Sequence, residues 1–175
     1  KSAITARFAD SKVTYSVESD CVKPAWVKDD WIVGFNDNSN TTTLIVKKIN
    51  AEGVASLEGR PADGNYHLIS EINCTESKIV KGVYTVSYSN QTGDDTKITD
   101  VFVSDGAIAD GSGDFIFNRA GGILALCNAK GMENVSFNKV EIFGENLSEG
   151  EVALNASGKL ELKAKTKKND SFNVA

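Results

Sequence analysis

The sequence predicts an all-β protein, built as a sandwich or barrel of roughly ten to twelve short strands. Apolar and β-branched residues alternate over short segments, and turn-forming residues separate these segments about every 8–12 residues. No segment has the period of an amphipathic helix. The two prolines, Pro24 and Pro61, fall in predicted loops, as expected where strands must keep their N–H donors.

The first two thirds of the chain contain most of the alternating segments. Each predicted strand ends at a polar or glycine-containing turn, such as Asp10-Ser11, Asn36–Asn38, Ala51–Gly53 or the Gly59–Asn65 segment. The strands predicted in this way are Ile4–Phe8, Val13–Val17, Trp31–Phe35, Thr41–Ile49, Val54–Glu58, Tyr66–Ile72, Val80–Tyr88 and Ile98–Val103. Asp105–Asp114, rich in Gly and Asp, is predicted as a loop.

The stretch from Phe115 to Gly144 is the strongest core signal. Its apolar runs Ile123–Cys127 and Val135–Phe143 are separated by a polar, turn-prone segment, which predicts a hairpin. The first run is apolar throughout, so we expect it to be buried on both faces. Further along, Glu151–Asn155 and Lys159–Ala164 predict a second hairpin around Ser157-Gly158, and Lys165–Ala175 resembles one more strand.

Composition narrows the class of protein. The 175 residues are 41% hydrophobic, which is enough for a core, and the net charge is −5. The acidic balance argues against a general binder of nucleic acid or anionic membranes, and no apolar run approaches the ~18 residues of a membrane span. The late lysines Lys159, Lys163, Lys165, Lys167 and Lys168 are interpreted as protection of an edge strand, with an anion or nucleic-acid patch as the alternative.

The cysteines and acidic clusters predict no cofactor and no metal site. Cys21, Cys74 and Cys127 form no CxxC pair and are interpreted as small apolar strand residues, with a Cys21–Cys74 bridge as the alternative. Asp110, Ser112 and Asp114 have the alternating spacing of a calcium loop. However, Phe115 and Gly121 replace the Gly and Glu of an EF-hand, which favours an acidic loop.

Catalytic signals are weak, so the sequence predicts a protein that is not an enzyme. His67, the only histidine, lies on a predicted strand as an ordinary half-exposed residue, without a nucleophile turn nearby in the sequence. The acidic pairs Asp29-Asp30 and Asp94-Asp95 cannot be placed across a cleft from sequence alone. A hydrolase remains the alternative if His67 contacts a nucleophile or two carboxylates face each other.

The segment Trp26–Phe35 reads WVKDDWIVGF, with Trp, Asp, Ile and Phe at a fixed spacing. With Asp29 in the place of Gly, it resembles the signature Trp-x-x-Gly-Asp-x-Ile-x-x-Phe of the fimbrillin family of Bacteroides-type bacteria. Thr5–Phe8 resembles the Arg-containing segment that precedes this signature. Gly53–Gly59, Phe117–Leu126 and Val135–Gly144 resemble the strands that follow in the family.

The resemblance implies a Greek-key, transthyretin-like β-sandwich, with residues 1–165 as the N-terminal domain and 166–175 as the possible start of a second. It also implies a lipoprotein exported through an upstream signal and displayed on the bacterial outer membrane, extracellular in a fimbria. Some family members assemble into pili, and the family includes adhesins. The partners that the resemblance implies are other pilus subunits or surface proteins, which bind by β-strand addition, and a host glycan or protein.

Assembly in the family follows a trypsin-like cut at an arginine, which removes an N-terminal strand. Of the three arginines, Arg60 precedes Pro61 and Arg119 lies in the predicted core stretch, so Arg7 is the candidate processing site. The alternative function is a surface carbohydrate-binding module that takes host glycans on exposed aromatic rings. Its candidate contacts are Trp26, Trp31, Tyr84 and Tyr88.

Overall fold

The structure, a computed structural model, describes residues 3–9, 24–38, 40–72, 76–80, 83–87, 100–120, 140–144, 149–154, 157–164 and 170–174. These residues form β-strands and turns, so the all-β prediction is confirmed. The strands are β1 (Ile4–Phe8), β2 (Trp31–Asn36), β3 (Thr41–Ile49), β4 (Ala55–Glu58), β5 (Gly64–Ile72), β6 (Glu76–Val80), β7 (Val83–Ser87), β8 (Asp100–Ile108), β9 (Gly113–Arg119), β10 (Val140–Gly144), β11 (Glu149–Leu154), β12 (Leu160–Ala164) and β13 (Asp170–Val174).

Seven of these strands close into a barrel in the order β1-β4-β3-β2-β5-β8-β9. Neighbouring strands in the series β4-β3-β2-β5-β8-β9 pair antiparallel. Strand β1 completes the ring, because it pairs antiparallel with β4 and parallel with β9. The N-terminal strand therefore joins the two ends of a six-stranded antiparallel sheet.

The barrel interior follows the period of two that the sequence shows. Inward-facing residues from each of the seven barrel strands form one apolar cluster, which includes Ile4, Leu44, Leu68, Phe102 and Phe115. Trp26, which precedes β2, completes this cluster. Its ring stacks on Phe8 with centroids 4.2 Å apart and meets Phe117 edge-on at 5.2 Å.

A second apolar cluster lies outside the barrel. Phe35 of β2, Ile69 of β5 and Val101 and Val103 of β8 face away from the barrel interior and pack against Tyr84, Val152 and Leu160. These last three belong to β7, β11 and β12, which form a four-stranded sheet with β6 in the order β12-β11-β7-β6. One face of the barrel is thus covered by a second sheet. The Greek-key sandwich itself stays a prediction.

The part of the chain after β9 contains one of the two predicted hairpins. Strands β11 and β12 pair antiparallel as the predicted second hairpin. Strand β10 pairs antiparallel with β13, whereas residues 121–139, which contain most of the other predicted hairpin, lie outside the described residues. Within the predicted strand Lys165–Ala175, Asp170–Val174 forms β13. The division of the chain at residue 165 stays a prediction.

Two predictions about single segments were wrong. Val80–Tyr88 was predicted as one strand, but β6 ends at Val80 and β7 begins at Val83, and the two pair as a hairpin. The predicted loop Asp105–Asp114 is largely strand, because β8 continues to Ile108 and β9 begins at Gly113. Between them Ala109 and Ser112 exchange two backbone hydrogen bonds of 2.9 Å, and Asp110 (φ 52°) and Gly111 (φ 68°) form a type I′ turn.

The segment from Trp26 to Asp30 makes a tight turn that leads into β2. The Asp30 carboxylate accepts a hydrogen bond of 2.7 Å from the Val27 N–H, and the Asp30 N–H donates to the Val27 carbonyl. Asp29 lies in the left-handed region with φ 71°, which favours glycine. The position at which the fimbrillin signature has Gly is therefore one where the backbone needs a left-handed residue.

Substitutions at Asp29 test this turn. We expect Asp29→Gly to be more stable than Asp29→Ala by about 1 kcal/mol, because the left-handed strain on Ala exceeds the extra unfolded-state entropy of Gly. Both variants lose the exposed contact of Asp29 with Lys47, so it cancels in the comparison. Urea denaturation midpoints measure the difference.

The neighbouring residue provides the control. Lys28 is exposed and has no positive φ, so Lys28→Gly should be less stable than Lys28→Ala by about 0.5–1 kcal/mol. The same order of stability at both positions would contradict the left-handed turn.

Candidate functional site

The N-terminal strand β1 carries the predicted processing residue. Ile4 and Ala6 are buried in the barrel and Phe8 packs against that cluster, whereas Arg7 is exposed on the outside. The pairing of β1 with β4 covers Ile4 to Ala6, but the pairing with β9 continues to Phe8. The Arg7–Phe8 bond therefore has one edge without a paired strand among the described residues, and this is the edge that an extended protease substrate needs.

The other two arginines are placed differently. Arg60 is exposed in the connection between β4 and β5, directly before Pro61. Arg119 is partly buried, donates to the Asp100 carboxylate and lies over the Phe102 ring at 5.2 Å. Burial raises the pKa of Asp100, although hydrogen bonding and the positive charge of Arg119 oppose the rise.

The four aromatic residues of the carbohydrate hypothesis are not equivalent. Trp31 is 60% exposed, but Trp26 is only 6% exposed and Tyr84 only 1%. Tyr88 lies outside the described residues. The rings of Trp26 and Tyr84 are covered by neighbouring side chains. Of the three candidate rings within the described residues, only that of Trp31 has an exposed face on which a sugar ring can stack.

Trp31 borders a pocket of about 220 Å³ between β2, β5 and the Trp26 turn. The pocket is lined by Phe8, Ala25, Trp26, Asp30, Trp31, Ser70 and Glu71. Two lining residues have a buried polar atom without a hydrogen-bond partner among the described residues, Trp26 Nε1 and Glu71 Oε2. Because these two atoms are themselves buried, the exposed Trp31 ring is the part of this pocket that a hydroxyl-rich ligand can contact directly.

Glu71 has an altered acidity. Burial raises the pKa of its carboxyl group, although a 3.0 Å hydrogen bond from the Ser77 hydroxyl opposes the rise. The sequence signal for this residue was weak, because Glu71 is one acidic residue in an alternating strand. Only the packing of β5 beside β2 brings it next to Trp31.

His67 is more buried than the sequence predicted. It is 6% exposed, and its Nδ1 lies 2.7 Å from Oδ1 of Asp105. Its Nε2 has no hydrogen-bond partner among the described residues, so no hydroxyl or thiol nucleophile contacts it there. The imidazole lines a second pocket of about 350 Å³ with Asp37, Asn65 and Asp105. Over the described ranges, no group of three or more His, Cys, Asp and Glu residues is arranged to hold a metal ion.

Of the two acidic pairs in the sequence, Asp29-Asp30 lies within the described residues, and its two carboxylates have different partners. Asp29 points toward Lys47, with 3.7 Å between its Oδ1 and the lysine Nζ, whereas Asp30 accepts from the Val27 backbone. Asp94 and Asp95 lie outside the described residues. In the part of the chain that is described, Asp114 of the calcium hypothesis accepts a 2.8 Å hydrogen bond from the Thr5 hydroxyl across β1 and β9.

Comparisons with known proteins identified no relative of this chain. No protein-family model, no curated protein and no solved structure matches this chain. The described segments contain no helix that is long and apolar enough to cross a membrane.

The pH dependence of stability tests the environment of Glu71. A carboxyl group whose pKa is raised on folding stabilises the fold while it is protonated, and this contribution is lost as the pH rises through the folded-state pKa. We therefore expect Glu71→Gln to gain stability relative to the unmodified protein between pH 4 and pH 7. Urea unfolding at several pH values measures the gain.

Glu52→Gln is the matched control, because Glu52 is an exposed turn residue. Equal pH dependence of the two variants, relative to the unmodified chain, would show that Glu71 is not desolvated.

Proposed function

We propose that this protein is a cell-surface structural and adhesive subunit of the fimbrillin type, assembled by donor-strand addition. The observation that carries the proposal is the position of β1. An N-terminal strand closes the barrel between β4 and β9, and its inward residues belong to the barrel core. Removing such a strand creates a groove with unpaired edges, which another strand can fill.

The geometry of the groove defines its complement. Without Ile4–Arg7, Ala55–Leu57 of β4 and Gly113–Ile116 of β9 lose their partners in β1, while β4 keeps its pairing with β3. The space left by Ile4 and Ala6 is apolar and has a repeat of two residues. A donor strand with apolar residues at alternate positions restores both the hydrogen bonds and the core, so the partner is a second subunit that supplies such a strand.

The signature turn gives the proposal independent support. Trp26 packs into the barrel core, Asp29 is left-handed where the family has Gly, Asp30 fastens the turn, and Ile32 and Phe35 enter the two apolar clusters. Each defined position of the Trp26–Phe35 signature thus contributes to the turn or to an apolar cluster in this chain. The proposal includes the family's Greek-key sandwich, outer-membrane display as a lipoprotein, and the absence of catalysis.

Limited proteolysis tests the processing step. We expect a trypsin-like protease to cut the folded protein after Arg7 and leave Phe8 as the new N-terminus, because this bond has an unpaired edge. Arg7→Gln should keep its N-terminal strand under the same conditions. The cut protein should then form oligomers or bind a synthetic alternating apolar strand. An intact Arg7–Phe8 bond in a protein cut elsewhere would contradict the proposal.

A second candidate function is carbohydrate binding, favoured by the exposed Trp31 ring beside the unpaired polar atoms of Trp26 and Glu71. On this hypothesis the pocket takes one sugar ring of a host glycan, with Trp31 as the stacking surface.

Calorimetric titration with oligosaccharides tests this candidate, because it does not depend on the Trp31 ring that the variants remove. Trp31→Ala should weaken binding about tenfold, because it removes a stacking contact of about 1.4 kcal/mol, whereas Trp31→Phe should retain most of the affinity. Binding that is equal in both variants would exclude Trp31 as the contact.

A further inference from the structure

Three neighbouring strands bring the second pocket together on the outer face of the barrel. His67 on β5 is the register partner of Phe35 on β2 and of Asp105 on β8. Asp37 follows directly after the end of β2. These pairings place two carboxylates on the two sides of one imidazole, at the end of the apolar cluster shared with the second sheet.

One ring nitrogen is fully engaged. His67 Nδ1 lies 2.7 Å from Asp105 Oδ1, and a carboxylate there holds the tautomer in which Nδ1 carries the proton. The Phe35 ring packs beside the imidazole with centroids 5.1 Å apart. The Nε2 lone pair therefore points away from Asp105 in a fixed direction.

The other ring nitrogen faces an acceptor. Nε2 lies 3.4 Å from Oδ1 of Asp37 and is buried without a hydrogen-bond partner among the described residues. The Asn65 amide donates to Oδ2 of Asp37 at 3.2 Å, which orients the carboxylate and leaves Oδ1 toward the histidine. At this distance an unprotonated ring nitrogen and a carboxylate oxygen repel each other unless a positive species, either a proton or a metal ion, lies between them.

The spacing fits a tetrahedral metal. With zinc–nitrogen and zinc–oxygen bonds of about 2.0–2.1 Å, two ligand atoms of a tetrahedron lie about 3.3 Å apart. A histidine that binds zinc through one nitrogen and donates from the other to a carboxylate is the usual arrangement at such sites. The pocket of about 350 Å³ leaves room for further ligands.

We propose that His67 Nε2 and Asp37 Oδ1 bind a divalent transition-metal ion of the zinc type, with Asp105 orienting the imidazole. The two protein ligands occupy half of a tetrahedron, and water or a donor group of a bound partner completes it. The site is separate from β1 and from the Trp31 pocket, so it depends on neither proposed function.

The chain offers a selective probe, because His67 is its only histidine. The experiment uses the untagged full chain, freed of metal with a chelator and titrated with Zn²⁺ alone. The imidazole ¹⁵N resonances are followed by NMR and the affinity by calorimetry. We expect the Nε2 resonance to shift on zinc addition while Nδ1 keeps its proton.

Variants separate this site from other zinc ligands, including the three cysteines. Asp37→Asn should weaken the zinc-dependent shift of the imidazole at least tenfold, and Asp105→Asn should weaken it about 10- to 100-fold. The control Asp63→Asn changes an exposed residue of the β4–β5 connection and should have no effect.

Asp37 is exposed, so its variant is expected to fold, and an unchanged NMR spectrum away from the pocket verifies this. Imidazole resonances that respond to pH but not to zinc would show that the positive species is a proton, and would overturn the proposal. Zinc binding with equal affinity in Asp37→Asn would also overturn it, because other groups would then be the ligands.

Discussion

Burial of β2, β5 and β8 on both faces is the constraint on which the rest of the described structure depends. Their inward residues form the barrel core with Leu44 and Phe115, and their outward residues meet the second sheet. Burying both faces removes more apolar surface from water than a half-exposed sheet can, and the central positions of these strands are therefore apolar on both faces. Asp100 to Ser104 of β8 are accordingly all buried, and Asp100 is tolerated there because Arg119 pairs with it.

The same constraint locates the candidate sites. The second sheet covers the middle of the outer face, where Ile69 and Val103 are register partners. Polar residues can remain only at the ends of this face, where Glu71 lies at one end and His67 at the other. Strand β1 closes the barrel at a distance from β2, β5 and β8, because β4 and β3 lie between it and β2, and β9 lies between it and β8. The proposed strand exchange would therefore act at β4 and β9, and not at the strands that meet the second sheet.

Local patterns in the sequence predicted most strands before β9, and their failures have physical causes. Thr41–Ile49 agrees with β3 because alternation and flanking turns are both local signals. The Gly and Asp residues of Asp105–Asp114 predict a loop because both residue types are depleted in strands. Asp110-Gly111, however, is also the two-residue pair that a type I′ hairpin prefers, so the same residues fit two strands and a tight turn. In Val80–Tyr88 the apolar pattern extends from the end of β6 into β7, and Gly82 between them is the single turn signal in the sequence.

The sequence by itself determined the all-β class, most strand positions, and the resemblance that singled out Arg7 and the Trp26–Phe35 signature. Each of these depends on residues close together along the chain. Only the tertiary structure decided which aromatic rings are exposed, that β1 closes a barrel, and that Asp37, His67 and Asp105 meet. Those facts depend on strand order and register, which join residues tens of positions apart. A one-residue change of register would turn His67 into the barrel and Leu68 out of it, and local patterns do not encode that choice between distant partners.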